Sequence, residues 1–162
     1  MIYVNQVTRG KAKAGSIAVK TVVLDNVDIT AKLQAANLQS FTYELADLAA
    51  GGDLAATPVF VVPAGYKFTL VAVNLIAKGD DAGIDAANTS VFTLAVGATA
   101  KAGFTFDGTA GKVYPDNGAS KALTISDAAL AAGDVLTVAV TNGATADTPA
   151  SLVQVTGYFE KA

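Results

Sequence analysis

The sequence predicts an all-β protein that folds as an antiparallel β-sandwich. Three observations lead to this expectation: apolar and polar residues alternate within short segments, these segments recur about every ten residues, and turn-forming glycine, asparagine and proline separate them. The abundant alanine and valine also suit closely packed sheets better than a helical bundle. A barrel would show the same spacing, so spacing alone leaves sandwich and barrel open.

The first third of the chain is the least regular. Residues 15–25 are predicted to form a first strand and residues 28–38 a short helix, while residues 41–45 alternate as a strand does. A glycine-rich turn follows and ends near Gly52. We therefore expect two parts, an N-terminal attachment arm over residues 1–52 and a sandwich domain over residues 53–162.

Strand signals are strong in the rest of the chain. The predicted strands are residues 58–62, 66–76, 90–96, 102–106, 121–125, 135–141 and 151–159. Phe92, Leu94, Phe104 and Phe106 recur at every second position and are predicted to anchor the core. Residues 126–134 carry the signals of one capped helical turn that ends in glycine.

The composition argues against an enzyme. The 162 residues include no histidine and no cysteine, which supply most acid–base, nucleophilic and transition-metal sites. A glycosidase needs two apposed carboxylates, but the only glutamates are Glu44 and Glu160, and most aspartates lie in predicted turns. No Ser-x-x-Lys element is present either. We expect no catalysis, no cofactor and no bound metal.

The chain is also not expected to enter a membrane. Its longest apolar stretch, residues 68–77, is far shorter than the roughly 18 residues that a spanning helix needs and is interrupted by Thr69 and Asn74. The first five residues lack the basic and then apolar pattern of a secretory signal. We therefore expect synthesis and residence in a cytoplasm.

Two predicted loops contain candidate binding residues. Asp80, Asp81 and Asp85 place three carboxylates in a short segment, which suits calcium, but the ligand spacing of an EF-hand is absent and a solvated loop is the preferred interpretation. Tyr114 lies in a second loop and is the tyrosine expected to be the most exposed, so it is the candidate for contact with a carbohydrate. Tyr66 and Tyr158, in contrast, lie in strand patterns and are expected in the core or at its rim.

Charge is distributed unevenly along the chain. The first 24 residues carry four bases and no acid, whereas the remainder carries seven bases and fourteen acids. The four bases are Arg9, Lys11, Lys13 and Lys20. We expect them to bind a partner; the alternative is that they belong to a solvated terminus. Nucleic acid is not the expected partner, because four dispersed cations do not form a basic patch and the acidic remainder would repel phosphates.

Three segments carry a resemblance to a known family. VPAGY at 62–66 precedes a long strand, LAAGDVLTVAV at 130–140 places glycine and an acid before a strand, and LVQVTGYF at 152–159 ends the pattern. Over about residues 57–160 this order resembles the jelly-roll domains of tailed-phage virion proteins, namely head-decoration, head-fibre and tail-fibre modules.

The resemblance implies a function as well as a fold. It implies a jelly-roll sandwich in a homotrimeric structural protein that binds the major capsid protein or other virion proteins, is made in the host cytoplasm and resides in the virion. It supplies no catalytic residues. The alternatives are a receptor- or carbohydrate-binding fibre tip of the same fold, an adhesion or matrix module and, least favoured, a sheet-based hydrolase.

Overall fold

The computed structural model describes residues 23–24, 27–28 and 38–162. Two short strands, β1 (Val23–Leu24) and β2 (Val27–Asp28), pair antiparallel. A separate compact unit spans Gln39–Ala162. Its strands are β3 (Leu38–Leu45), β4 (Leu54–Val61), β5 (Tyr66–Ala77), β6 (Ser90–Val96), β7 (Thr99–Phe106), β8 (Ser120–Ala122), β9 (Thr124–Ile125), β10 (Ala129–Leu130), β11 (Val135–Asn142) and β12 (Ser151–Lys161). The described residues contain no helix.

The strands of this unit form two five-stranded sheets. Sheet I has the order β10-β5-β12-β3, with β8 also paired to β5. Sheet II has the order β4-β11-β6-β7-β9. Neighbouring strands pair antiparallel, and the apolar faces of the two sheets form one core. The all-β antiparallel sandwich predicted from the sequence is confirmed.

The strand order follows from rolling up one long hairpin. The hairpin turns at the Gly97-Ala98 connection, so that β6 pairs with β7, β5 with β10, β4 with β11, and β3 with β12. Rolling then brings β12 beside β5 and β11 beside β6, which completes the two sheets. This order is the jelly-roll arrangement of two antiparallel sheets.

The core is built from the inward-facing residues of each strand. Phe92, Leu94 and Phe106 are fully buried, and Phe104 is partly buried and packs against them, as the period of two predicts. The same alternation buries three residues of β11, Leu136, Val138 and Val140, and two residues of β12, Val153 and Val155. The outward-facing residues between them are partly or fully exposed.

The two long sides of the sandwich are closed in different ways. On one side the edge strands β3 and β4 meet through Phe41 and Phe60, whose rings stack with centroids 4.5 Å apart. On the other side the chain itself crosses from β8 in sheet I to β9 in sheet II through the buried Leu123. Pro58 lies in the edge strand β4, a position where proline is tolerated although it cannot donate a ladder hydrogen bond.

The helical turn predicted over residues 126–134 is wrong. Ala129 and Leu130 form β10 and pair with Thr69 and Phe68 of β5. The Asp127 carboxylate does accept a bond from a following backbone amide, that of Ala129 at 3.1 Å, as a cap would. Pairing with β5 buries Leu130, which an isolated helical turn would leave without a partner surface, so strand pairing prevails.

Other sequence expectations are refined near the N terminus and at β8. Residues 121–125 form two short strands in different sheets rather than one. Most of the helix expected over residues 28–38 lies outside the described residues, but its two end residues, Asp28 and Leu38, belong to strands. Of the strand expected at residues 15–25, only Val23–Leu24 is described. The expected arm of residues 1–52 would include β3, but β3 is an edge strand of sheet I and so is part of the sandwich.

Candidate interaction surfaces

One end of the sandwich is made by four long connections. Alternate connections of a rolled hairpin lie at the same end, so residues 46–53, 78–89, 107–119 and 143–150 meet there. Backbone bonds join them: the Leu48 and Thr148 peptides bond to each other at 2.9 and 3.0 Å, and the Asp147 amide donates to the Ala82 carbonyl at 2.8 Å. We call this surface the loop end.

The loop end is strongly acidic. Its four connections contain only two lysines, Lys78 and Lys112. They contain eight aspartates, Asp47, Asp53, Asp80, Asp81, Asp85, Asp107, Asp116 and Asp147. The acidic character of the chain after residue 24 is therefore concentrated at one end of the fold.

Several of these carboxylates hold their own loops in shape. Asp85 Oδ1 accepts bonds from the amides of Ala87 and Asn88, both at 2.8 Å, and these bonds lower the pKa of Asp85. Asp80 Oδ1 accepts the Asn117 amide at 2.8 Å, which links two loops. Such bonds explain why aspartate, rather than glutamate, is abundant here.

These acids do not form a metal centre in the part of the chain that the structure describes. No three acidic side chains there are grouped closely enough to hold an ion. Asp147 Oδ1 is buried without a hydrogen-bond partner among the described residues. Asp80 and Asp85 each accept a backbone amide of the loop end, and the interpretation of Asp80, Asp81 and Asp85 as a solvated loop stays a prediction.

The expectation that Tyr114 is exposed is wrong. Its side chain is only 2% exposed and packs against Phe106 and Phe92, with ring centroids 5.1 and 6.3 Å away. Its hydroxyl bonds to the hydroxyl of Ser151, and burial raises the pKa of Tyr114. Tyr114 therefore anchors the loop to the core and cannot present its ring to a carbohydrate.

Lys101 is a buried charge that sequence reasoning did not single out. A β-bulge, in which Leu94 pairs with Ala102 but Ala95 pairs with Ala100, turns Lys101 toward the inside of the sandwich. Its Nζ donates to Asp127 Oδ2 at 2.5 Å and to the Ala129 carbonyl at 2.7 Å. Its amino group thus has two partners within the fold, a carboxylate and a backbone carbonyl.

The outer face of sheet II has a different character from the loop end. None of the five strands presents a charged side chain on this face, since the only charged residue of these strands, Lys101, turns inward. The outward-facing residues include Ala55, Ala56, Pro58, Val61, Val91, Thr93, Ala95, Ala100, Gly103, Thr105, Thr124, Val135, Thr137, Ala139 and Thr141. A shallow depression of about 350 Å³ lies over Gly103, bordered by Thr93, Thr105 and Thr124. We call this surface the uncharged face.

The remaining predicted site residues, Arg9, Lys11, Lys13 and Lys20, lie outside the described residues. Within the described part, no helix is long and apolar enough to cross a membrane. A scan against protein-family models gives no match to this chain, and a search of curated proteins gives none either.

Proposed function

We propose that this protein is a structural virion protein of a tailed phage, which binds the capsid and decorates or stabilises it through protein–protein contacts. The observation that carries the proposal is the jelly-roll sandwich itself, joined to the resemblance of residues 57–160 to virion modules. The fold alone does not determine function, so the proposal depends on what its surfaces offer.

The polar groups inside the sandwich support a role in binding rather than catalysis. Ser90 bonds to Thr148 at 2.9 Å, and Thr148 bonds in turn to the Asn142 side chain at 2.8 Å. Tyr114 and Ser151 bond to each other, and Lys101 bonds to Asp127. These groups bond to one another and so connect strands and loops of the fold.

The proposed action is mechanical. Contacts between neighbouring proteins bury surface and tie capsid subunits together, so that the shell resists internal pressure. The basic residues Arg9, Lys11, Lys13 and Lys20 would meet an acidic patch on the shell, and the decorating unit would be a homotrimer. The partners would be the major capsid protein or other virion proteins.

The alternative of a carbohydrate-binding fibre tip loses the residue on which it rested. Carbohydrate sites commonly present an exposed aromatic ring, and Tyr114 is buried. Tyr66 is 45% exposed, but its ring packs edge-on against Phe159, with centroids 6.0 Å apart, as part of the aromatic cluster at the side of the sandwich.

Negative-stain imaging of undecorated capsids mixed with the purified protein tests the proposal. We expect regularly spaced added density on the shell and co-sedimentation of the protein with capsids. Capsids already carrying their decoration are the control, since their sites are occupied. If capsids of the phage that encodes this protein stay bare after incubation with an excess of the protein, the proposal is overturned.

A further inference from the structure

We propose that the uncharged face of sheet II is the surface through which two copies of this chain contact each other. The inference rests on the proposal that the protein is an oligomer, but it does not depend on a capsid. It names the contact face, which neither the sequence nor the resemblance does.

Charge distinguishes the uncharged face from the other surfaces of the sandwich. The loop end is acidic, and the outer face of sheet I carries Glu44, Lys67 and Glu160. Two copies that met at the acidic loop ends would repel, and burying unpaired charges costs free energy. The uncharged face is the broad sheet surface on which copies of an acidic body can approach without burying a charge, and the centres of protein interfaces are depleted of charge in general.

The uncharged face has both a projection and a depression. Val61 and Val135 pair across β4 and β11 and project at one corner, with 54% and 38% of their surfaces exposed. The depression over Gly103 lies toward the other edge of the sheet, on β7. A Cβ at Gly103 would approach the Phe92 carbonyl oxygen to 2.7 Å, so backbone packing keeps this position empty of a side chain. The face thus carries both a projecting apolar pair and a hollow that could receive one.

The size of the face sets the expected strength. Four strands of seven or eight residues and the two-residue β9, spaced about 4.8 Å apart with a rise of about 3.3 Å per residue, make a surface of roughly 500 Å². Stable complexes bury about 800 Å² on each partner, and smaller contacts are weak. We therefore expect an association that depends on concentration over the micromolar range or above.

Paired charge insertions test which face is used. Thr93 lies on β6 at the centre of the uncharged face, and Thr69 lies on β5 with its side chain on the outer face of sheet I; both are partly exposed. We expect Thr93→Glu to shift the association midpoint at least tenfold to higher concentration in sedimentation equilibrium, and Thr69→Glu to leave it nearly unchanged. Far-UV circular dichroism and melting of both variants establish that each is folded.

Thiol protection provides a second measurement that does not require a charge. The chain contains no cysteine, so Thr93→Cys and Thr69→Cys each introduce the single thiol of the protein. We expect the alkylation rate of the Thr93→Cys variant to fall severalfold as protein concentration rises through the association range, and that of the Thr69→Cys variant to stay constant.

The outcomes separate this proposal from the proposed function. An oligomer that resists Thr93→Glu, or a Thr93→Cys thiol that is not protected, would overturn the contact face while leaving oligomerisation intact. An unmodified protein that stays at the 16.2 kDa of one chain at every concentration tested would overturn both the contact and the trimer. Neither result decides capsid binding, which the imaging experiment tests by itself.

Discussion

Lys101 and Ala129 join the two sheets of the sandwich through a hydrogen bond, and the same lysine forms an ion pair with Asp127 in the segment before β10. The lysine belongs to β7 of sheet II, and its Nζ lies 2.5 Å from Asp127 Oδ2 and 2.7 Å from the carbonyl of Ala129 in β10 of sheet I. The carbonyl of Lys101 also accepts the amides of Ser126 and Asp127, at 2.9 and 3.1 Å. One bulged residue thus fixes the segment that connects β9 to β10.

Replacing Lys101 by methionine should destabilise the protein by about 0.5–1.5 kcal/mol, because the hydrogen bonds from its amino group to Asp127 and to the Ala129 carbonyl are lost while the apolar stem is kept. The cost should stay modest, since Asp127 is 43% exposed and Ala129 is exposed, so water can solvate both acceptors. Urea unfolding followed by circular dichroism measures the change. Lys67→Met, at an exposed lysine of the outer face of sheet I, is the control and should change stability by less than about 0.5 kcal/mol.

The Lys101 site also shows what sequence could and could not predict. Alternation predicted the strands of the sandwich because each long strand has one buried and one exposed face, as Phe92 and Thr93 illustrate. A bulge breaks that alternation, and whether one occurs depends on the partner strand, so the inward direction of Lys101 was not readable from its neighbours. The burial of Tyr114 was missed for a related reason: loop position indicates exposure only on average, and a loop can return an aromatic ring to the core.

Asp107 should make stability fall in acid. Bonds from the Thr109 hydroxyl, the Lys112 ammonium and the Thr109 amide lower the pKa of this carboxyl from 3.8 to about 2. Because the folded-state pKa is depressed, the contribution of Asp107 is present above the unfolded-state value and is lost as pH falls from about 4 to about 2. Asp127 and Asp85, whose pKa values are also lowered, should add to the same slope.

The variant Asp107→Asn isolates this contribution. Urea midpoints measured through the same acidic range should depend less on pH than those of the unmodified protein. Identical slopes for Asp107→Asn and the unmodified protein would show that Thr109 and Lys112 do not stabilise the charged carboxylate.

Tyr114 should ionise at a higher pH than a tyrosine in water does. Burial raises the pKa of its hydroxyl, so the unfolded chain releases this proton first and stability should decline as pH rises above about 10. Tyr114→Phe removes the bond to Ser151 but keeps the ring in the core, and it should cost about 1 kcal/mol at neutral pH. Ultraviolet titration of the five tyrosines should lose its latest-ionising component in this variant. If the titration of the Tyr114→Phe variant still shows the latest-ionising component, that component does not belong to Tyr114.

The basic N-terminal segment should serve binding rather than folding. The buried core of the described residues begins at Leu45 and ends at Val155, so deletion of residues 1–20 should leave the sandwich with its cooperative melting transition. The truncated protein should nevertheless bind capsids more weakly, because it loses Arg9, Lys11, Lys13 and Lys20. Co-sedimentation with capsids over a series of protein concentrations measures the affinity.

Salt dependence separates the charge of this segment from its other properties. Exposed charges are screened within about 10 Å at 0.1 M salt, so raising salt from about 50 to about 500 mM should slow association of the full chain far more than that of the truncated one. A full-length variant in which Arg9, Lys11, Lys13 and Lys20 are all replaced by glutamine is the matched control, and it should behave as the truncated protein does. If the truncated protein fails to fold, the strand predicted at residues 15–25 is integral to the molecule. If it folds and binds as tightly as the full chain, the four bases are ordinary solvated residues and the attachment hypothesis is wrong.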